Sequence, residues 1–141
     1  MTDVLRRFTP ASANATLPLV SRVVDDLTRL HDVWRTAVTS YELAQADADA
    51  SGESAAAREA RLEVARLAAD IESCLGELDQ VGCVFKGFDP GLVDFPAEHE
   101  GRVICLCWQH GEPEVAHWHE LDAGYAGRQP LDDAFYAREE Q

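Results

Sequence analysis

The sequence predicts an α+β protein, a long antiparallel helical hairpin followed by a small antiparallel β-sheet module, and three observations carry this. Apolar residues recur at intervals of 3 and 4 through residues 20–44 and again through residues 57–81, the period of a helix with one buried stripe. Beyond Gly82 the pattern becomes short runs rich in β-branched and aromatic residues, CVFKGFD, LVDF, VICLCW and VAHWHEL, as expected of strands. The two patterns are segregated along the chain, which points to a sheet beside helices rather than to interleaved βαβ units.

The first helix starts at Thr9-Pro10, with Thr9 as N-cap and Pro10 at the first helical position, where a missing N–H costs nothing. Pro18 predicts either a kink or a short first turn and a restart capped by Thr16, because an interior proline removes a backbone hydrogen bond. The stripe runs Val20, Val23, Leu27, Leu30, Trp34, Ala37, Tyr41, Ala44. ADADASGES interrupts it, and a second stripe follows at Ala57, Ala60, Val64, Leu67, Ile71, Cys74, Leu78 and Val81, closed by Gly82 as a C-terminal cap. The expected helices cover about residues 10–48 and 54–81. Val24, Val38, Leu62 and Leu75 widen the stripes, so each helix needs more than one apolar neighbour. A second copy packed through the helices, making a homodimer, would supply it; so would the β module. His31 lies beside the stripe and reads as a core histidine with a satisfied hydrogen bond.

At 141 residues the chain reads as one domain, 1–141, with the helical hairpin at 8–82, the β module at 83–130 and a polar tail at 131–141. No run of about 18 apolar residues occurs and MTDVLRRFTP has no apolar signal centre, so the expectation is a cytoplasmic protein that neither spans nor binds a membrane. Four cysteines in that setting are expected to be reduced thiols, Cys74 and Cys83 being plain buried residues. Residues 1–66 carry 8 basic and 10 acidic residues and residues 67–141 carry 4 and 16, so the net charge of −14 is concentrated around the β module. Such a surface repels phosphate backbones and anionic lipid, which excludes nucleic-acid partners, and it attracts cations.

Within the module, Asp89-Pro90-Gly91 makes a turn between CVFKGFD and LVDF, the second strand ending at Pro96. EHEG leads into a hairpin of Val103–Trp108 and Val115–Leu121 across Gly111 and Pro113. DAGYAGRQP follows as a glycine-punctuated loop, and LDDAFYAREEQ as a tail with one helical turn docked by Phe135 or Tyr136.

If the hairpin turns about Glu112, Cys105 faces His119 and Cys107 faces His117 on one side of the sheet. Ile104, Leu106, Trp108, Ala116 and Trp118 gather on the other as a core face. Two thiols and two imidazoles on neighbouring strands form a ligand set for a divalent transition metal, zinc or iron. The competing reading makes Cys105 and Cys107 small hydrophobes and places His117 and His119 in hydrogen-bond networks. A reduced set of His119 and Glu120 with Asp94 or Asp122 is a further candidate. Asp94 is notable because a carboxylate between apolar neighbours is either a hydrogen-bond anchor or a perturbed acid. Arg128 and Lys86, scarce bases in an acidic half, are candidate partners for those carboxylates or for an anionic ligand. No nucleophile elbow, phosphate loop, dinucleotide fingerprint, HExxH or CxxC is present.

In FTPASANATLPLV, GLVDFPA, GRVICLCW, GEPEV and WHELDAGYAGRQP the chain resembles the bacterial domain of unknown function 2203 family, over most of residues 8–130. The resemblance implies a small bacterial cytoplasmic protein with a long helical segment and a compact C-terminal module, and brings no activity with it. It draws attention to Asp94, Cys107, His119, Glu120, Asp122, Gly127 and Arg128. Three function classes follow: a transition-metal-binding protein, which includes a metal-dependent enzyme; a non-catalytic homodimer serving as a structural or partner-binding protein; and a small-ligand or haem-binding module.

Overall fold

The computed structural model describes residues 7–46 and 52–135, and its architecture is α+β. Two long helices packed together, α1 (Pro10–Ala46) and α2 (Ala55–Val81), precede a five-stranded antiparallel meander. Its strands are β1 (Val84–Phe88), β2 (Gly91–His99), β3 (Arg102–Gln109), β4 (His117–Glu120) and β5 (Gln129–Pro130). Contacts divide the chain into two compact units, one of residues up to Val24 and from Glu77 onward, the other Asp25–Gly76. No helix among the described residues is long and apolar enough to cross a membrane.

In the unit Asp25–Gly76 the stripes face inward: Leu27, Ala57, Leu67 and Cys74 are buried, whereas Val33, Leu43, Leu62 and Leu75 remain exposed. His31 stacks on Trp34 at 5.9 Å. The end expected for the first helix at residue 48, and most of the acidic break after it, lie outside the described residues.

The other unit holds the sheet and the ends of both helices. Thr9 caps α1 as expected: its hydroxyl accepts from Ser12 N at 3.1 Å and its own N–H donates to Ser12 Oγ at 2.8 Å. The expected restart near Thr16 does not occur, since α1 runs unbroken through Pro18. Thr16 donates its hydroxyl back to the Ala13 carbonyl at 2.7 Å rather than capping a new helix. Gly82, at φ 100°, closes α2 with N–H bonds to the Leu78 and Asp79 carbonyls.

One face of the sheet is the core. Val93, Phe95, Ala97, Ile104, Leu106, Trp108 and Trp118 are buried on it together with Phe8, Val20, Val23 and Val24, and Phe8 meets Phe95 edge-on at 5.1 Å. β2 continues three residues past Pro96, where the sequence suggested that it ends. Pro96 is tolerated because β1 pairs with β2 only as far as Asp94. The Pro96 carbonyl accepts from Phe8 N at 2.7 Å, so its nitrogen also points to that sparsely paired side, away from the β3 ladder. β4 is shorter than expected, beginning at His117. Val115 is held instead by Asn14, whose side-chain amide accepts from Val115 N at 2.7 Å and donates to its carbonyl at 3.4 Å, in place of a neighbouring strand. The loop before the tail supplies the small fifth strand, pairing Trp118 with Gln129. Phe135 docks as expected, stacking on His99 at 4.0 Å, while Tyr136 lies outside the described residues.

β2 and β3 are joined by the two-residue turn Glu100-Gly101, both at positive φ (53° and 77°), with His99 paired to Arg102. This is the mirror-image turn that suits hairpin twist, and its first position favours Asn over Glu. Glu100→Asn is therefore expected to raise stability by up to roughly 1 kcal/mol, the relief of left-handed strain outweighing the exposed Arg102–Glu100 ion pair that it removes, read as a higher urea midpoint with unchanged slope; an unchanged or lower midpoint would count against it.

Candidate metal centre

The register of the two hairpins decides what meets on the outer face of the sheet. The β3–β4 pairing is the one expected from a turn about Glu112, with Cys105 opposite His119 and Cys107 opposite His117. The β2–β3 pairing sets Asp94 opposite Cys107. Alternation then places Asp94, Cys105, Cys107, His117 and His119 on one face, behind which lies the apolar core.

Of these, Asp94, Cys107 and His119 converge: their ligand atoms all lie within 4.8 Å of one another and all three residues are buried. His119 Nδ1 is 2.7 Å from the Glu120 carbonyl. A carbonyl can only accept, so Nδ1 carries the hydrogen and the ring is turned to present Nε2 to Asp94 Oδ1 at 3.0 Å. A single hydrogen shared between Nε2 and the carboxyl group completes the contact. Burial pushes the Cys107 thiol up to about 12, and the neighbouring Asp94 charge pushes in the same direction against the pull of Arg128. Cys105 is raised to about 11 by burial and Asp94 in the same way.

The other candidates stand apart from this cluster. His117 Nδ1 accepts from Arg128 at 3.2 Å. That guanidinium also donates to Glu112 Oε1 at 2.6 Å and to the Cys107 carbonyl at 3.4 Å, and lies over the Tyr125 ring. Arg128 is thus the ion-pair partner of Glu112, a residue the sequence reading used only as the turn centre. Glu120 points to the surface, where Arg102 grips it with bonds of 3.0 and 2.6 Å and holds its carboxyl below the usual value. Asp122 is exposed and is not among the three converging residues. Gly127 is required by close approach, since a Cβ there would lie 2.5 Å from that of Ala123.

A cavity of about 250 Å³ opens over the cluster, reaching Asp94, Cys107 and His119 between walls formed by Lys86, Leu92, Leu121, Gly124 and Tyr125. The donor set suits a metal. Soft thiolate, imidazole and carboxylate together match zinc or iron, and ligand atoms on a tetrahedral zinc are roughly 3.3–3.7 Å apart, within small side-chain movements of this arrangement. The Glu120 carbonyl supplies the outer hydrogen bond that fixes the tautomer of a ligating histidine.

The profile of the family described as Uncharacterized conserved protein (DUF2203) matches residues 6–131. The chain belongs to the DUF2203 family. No curated protein and no solved structure matches it. The DUF2203 match spans both helices and all five strands, so Asp94, Cys107 and His119 all lie within it.

Proposed function

We propose that this DUF2203 protein binds a divalent transition metal through His119 Nε2, Cys107 Sγ and Asp94, and that the bound ion leaves one coordination position facing the cavity. The observation that carries this reading is the convergence of three buried ligand atoms of different softness within 4.8 Å, with the imidazole already oriented by the Glu120 carbonyl. Three protein ligands and one open position are the arrangement of a catalytic rather than a structural zinc site, and an ion so held supplies Lewis-acid chemistry. The residues themselves would hold it in a pocket backed by the apolar core.

Two other readings have less support. A cysteine nucleophile needs an imidazole to take its proton, yet both nitrogens of His119 are engaged, by Glu120 O and by Asp94, leaving none for Cys107. A haem needs far more room than about 250 Å³, a volume below the usual range for drug-sized ligands. Purified without a histidine tag, the protein is expected to carry close to one equivalent of zinc or iron by elemental analysis, and removal of that metal by a chelator is expected to lower the thermal midpoint. A metal content well under one equivalent after incubation with either ion would reject the site.

A further inference from the structure

Of the four bases in residues 67–141, Lys86, Arg102, Arg128 and Arg138, the first three lie among the described residues. Arg102 is tied to Glu120 and Glu100, and Arg128 to Glu112. Lys86 forms no ion pair or hydrogen bond among the described residues, and it lines the cavity over the candidate metal centre.

Its placement depends on a defect in the ladder. β1 pairs Phe85 with Val93 and then Gly87 with Leu92, so Lys86 is the extra residue of a β-bulge. Bulges near sites re-aim a side chain. Gly87 sustains this one at φ 145°, a conformation that a residue with a Cβ rarely adopts. The irregularity therefore sets the Lys86 side chain at the wall of a pocket that also reaches the buried Asp94, Cys107 and His119.

Charge then selects the ligand. A divalent ion neutralised by the Cys107 thiolate and the Asp94 carboxylate leaves no net charge on the centre, and Lys86 adds one positive charge beside the open position. The pocket is also lined by two largely exposed side chains: Leu121, 63% exposed, which has no polar group to place it there, and Tyr125, 47% exposed, whose ring is held by its hydroxyl's bond to Gln109 Oε1 at 3.0 Å and by the Arg128 guanidinium over it. With Leu92 they offer an apolar lip.

We propose that the pocket takes a small organic anion, a carboxylate or phosphoryl group on a short apolar body. One anionic oxygen coordinates the metal, another accepts from Lys86 Nζ, and the body lies against Leu92, Leu121 and Tyr125. This rests on the metal reading above and adds the ligand class to it. The volume of about 250 Å³ limits the body to a few carbons.

The test is a titration of the cobalt-substituted full chain, followed by its visible absorption, with butyrate, butylphosphonate and butylamine as probes, alongside elemental analysis of every sample. The expected result is a saturable change with butyrate or butylphosphonate and none with butylamine. Lys86→Met is expected to keep its full metal content and lose roughly tenfold or more in anion affinity, as one charge-assisted hydrogen bond goes. Full cobalt content with no response to either anion, equal anion affinity in Lys86→Met, or tighter binding of butylamine would overturn the ligand assignment and leave the metal site standing. Absence of cobalt from the wild type would remove both, and the elemental analysis tells the two failures apart. Leu121→Ser provides a second variant: weaker butyrate binding supports the apolar lip, and unchanged affinity overturns that part.

Discussion

His119→Ala is expected to abolish metal uptake and also to cost the metal-free fold roughly 3–5 kcal/mol, whereas Asp94→Asn is expected to abolish metal uptake at a cost of no more than about 1 kcal/mol. The asymmetry follows from what each change leaves behind. The side chains of His119 and Asp94 are 3% and 6% exposed, so each relies on the other for the hydrogen bond made at 3.0 Å. Without the imidazole, the Asp94 carboxyl group loses its partner on the buried face, and Cys105 and Cys107 are poor substitutes as donors. With asparagine at position 94, the side-chain amide donates to Nε2, Nδ1–H stays on the Glu120 carbonyl, and both imidazole nitrogens are satisfied in the neutral ring. An amide is a weak ligand beside a carboxylate, so metal affinity goes while packing remains. Urea unfolding of chelator-treated protein gives the stability arm and elemental analysis the other. Retention of metal by either variant would remove the site, and equal stability of the two would mean that the buried pair is not the anchor its geometry suggests.

The partial legibility of this centre in the sequence has a specific cause. The strict two-residue period of VICLCW and VAHWHEL, with a turn centred on Glu112, was enough to place Cys105 opposite His119 and Cys107 opposite His117, because a one-residue slip would have put the apolar set on the wrong face. The third converging residue, Asp94, comes from a strand expected to end at Pro96. Glu100-Gly101, read as a two-residue turn, fixes the β2–β3 register, and counting back from it sets Asp94 opposite Cys107. That signal was present in EHEG, but with the strand expected to end at Pro96 the register does not carry through it. The local pairing, with Phe8 rather than β1 beside Pro96, shows why the strand passes through a residue without an N–H. The helices were readable for the opposite reason, since a 3.6-residue period sustained through most of each and capped by Thr9 and Gly82 tolerates one proline without losing its buried face. What the sequence could not separate was the fate of the polar groups around the cluster. His117 and Glu120 are ordinary metal-ligand types and Arg128 an ordinary anion partner, and only their geometry assigns them to Arg128, Arg102 and Glu112 respectively.

In the metal-free protein, stability is expected to fall steeply above pH 9, by an amount on the order of 5 kcal/mol between pH 9 and pH 11. Three buried thiols set this. Cys83 and Cys105 are held up at about 11 and Cys107 at about 12, above the ordinary thiol value of 9.0, chiefly because burial penalises the thiolate. Each folded-state pKa is raised, so above pH 9 the unfolded chain gives up thiol protons that the folded chain retains. The unfolded state then binds fewer protons, and stability declines with pH by up to about 1.4 kcal/mol per unit for each thiol. The contribution is complete below pH 9 and is lost as pH rises through the folded values. Cys83 is the control within the set, since its thiol donates to the Leu78 carbonyl at 3.5 Å and it is not among the three converging residues. Cys83→Ala should therefore remove about one third of the alkaline slope of the metal-free protein and about half of that of the metal-loaded protein, where Cys107 no longer contributes. Cys107 behaves differently once an ion is bound, because a ligating thiolate has already surrendered its proton. The metal-loaded protein should have the shallower slope, and metal affinity should rise with pH by at least one proton's worth, roughly tenfold per unit near neutrality. Urea midpoints measured from pH 8 to 11 with and without metal test both statements together. A metal-free curve that stays flat to pH 11 would mean that water reaches these thiols, and identical slopes with and without metal would mean that Cys107 is not a ligand.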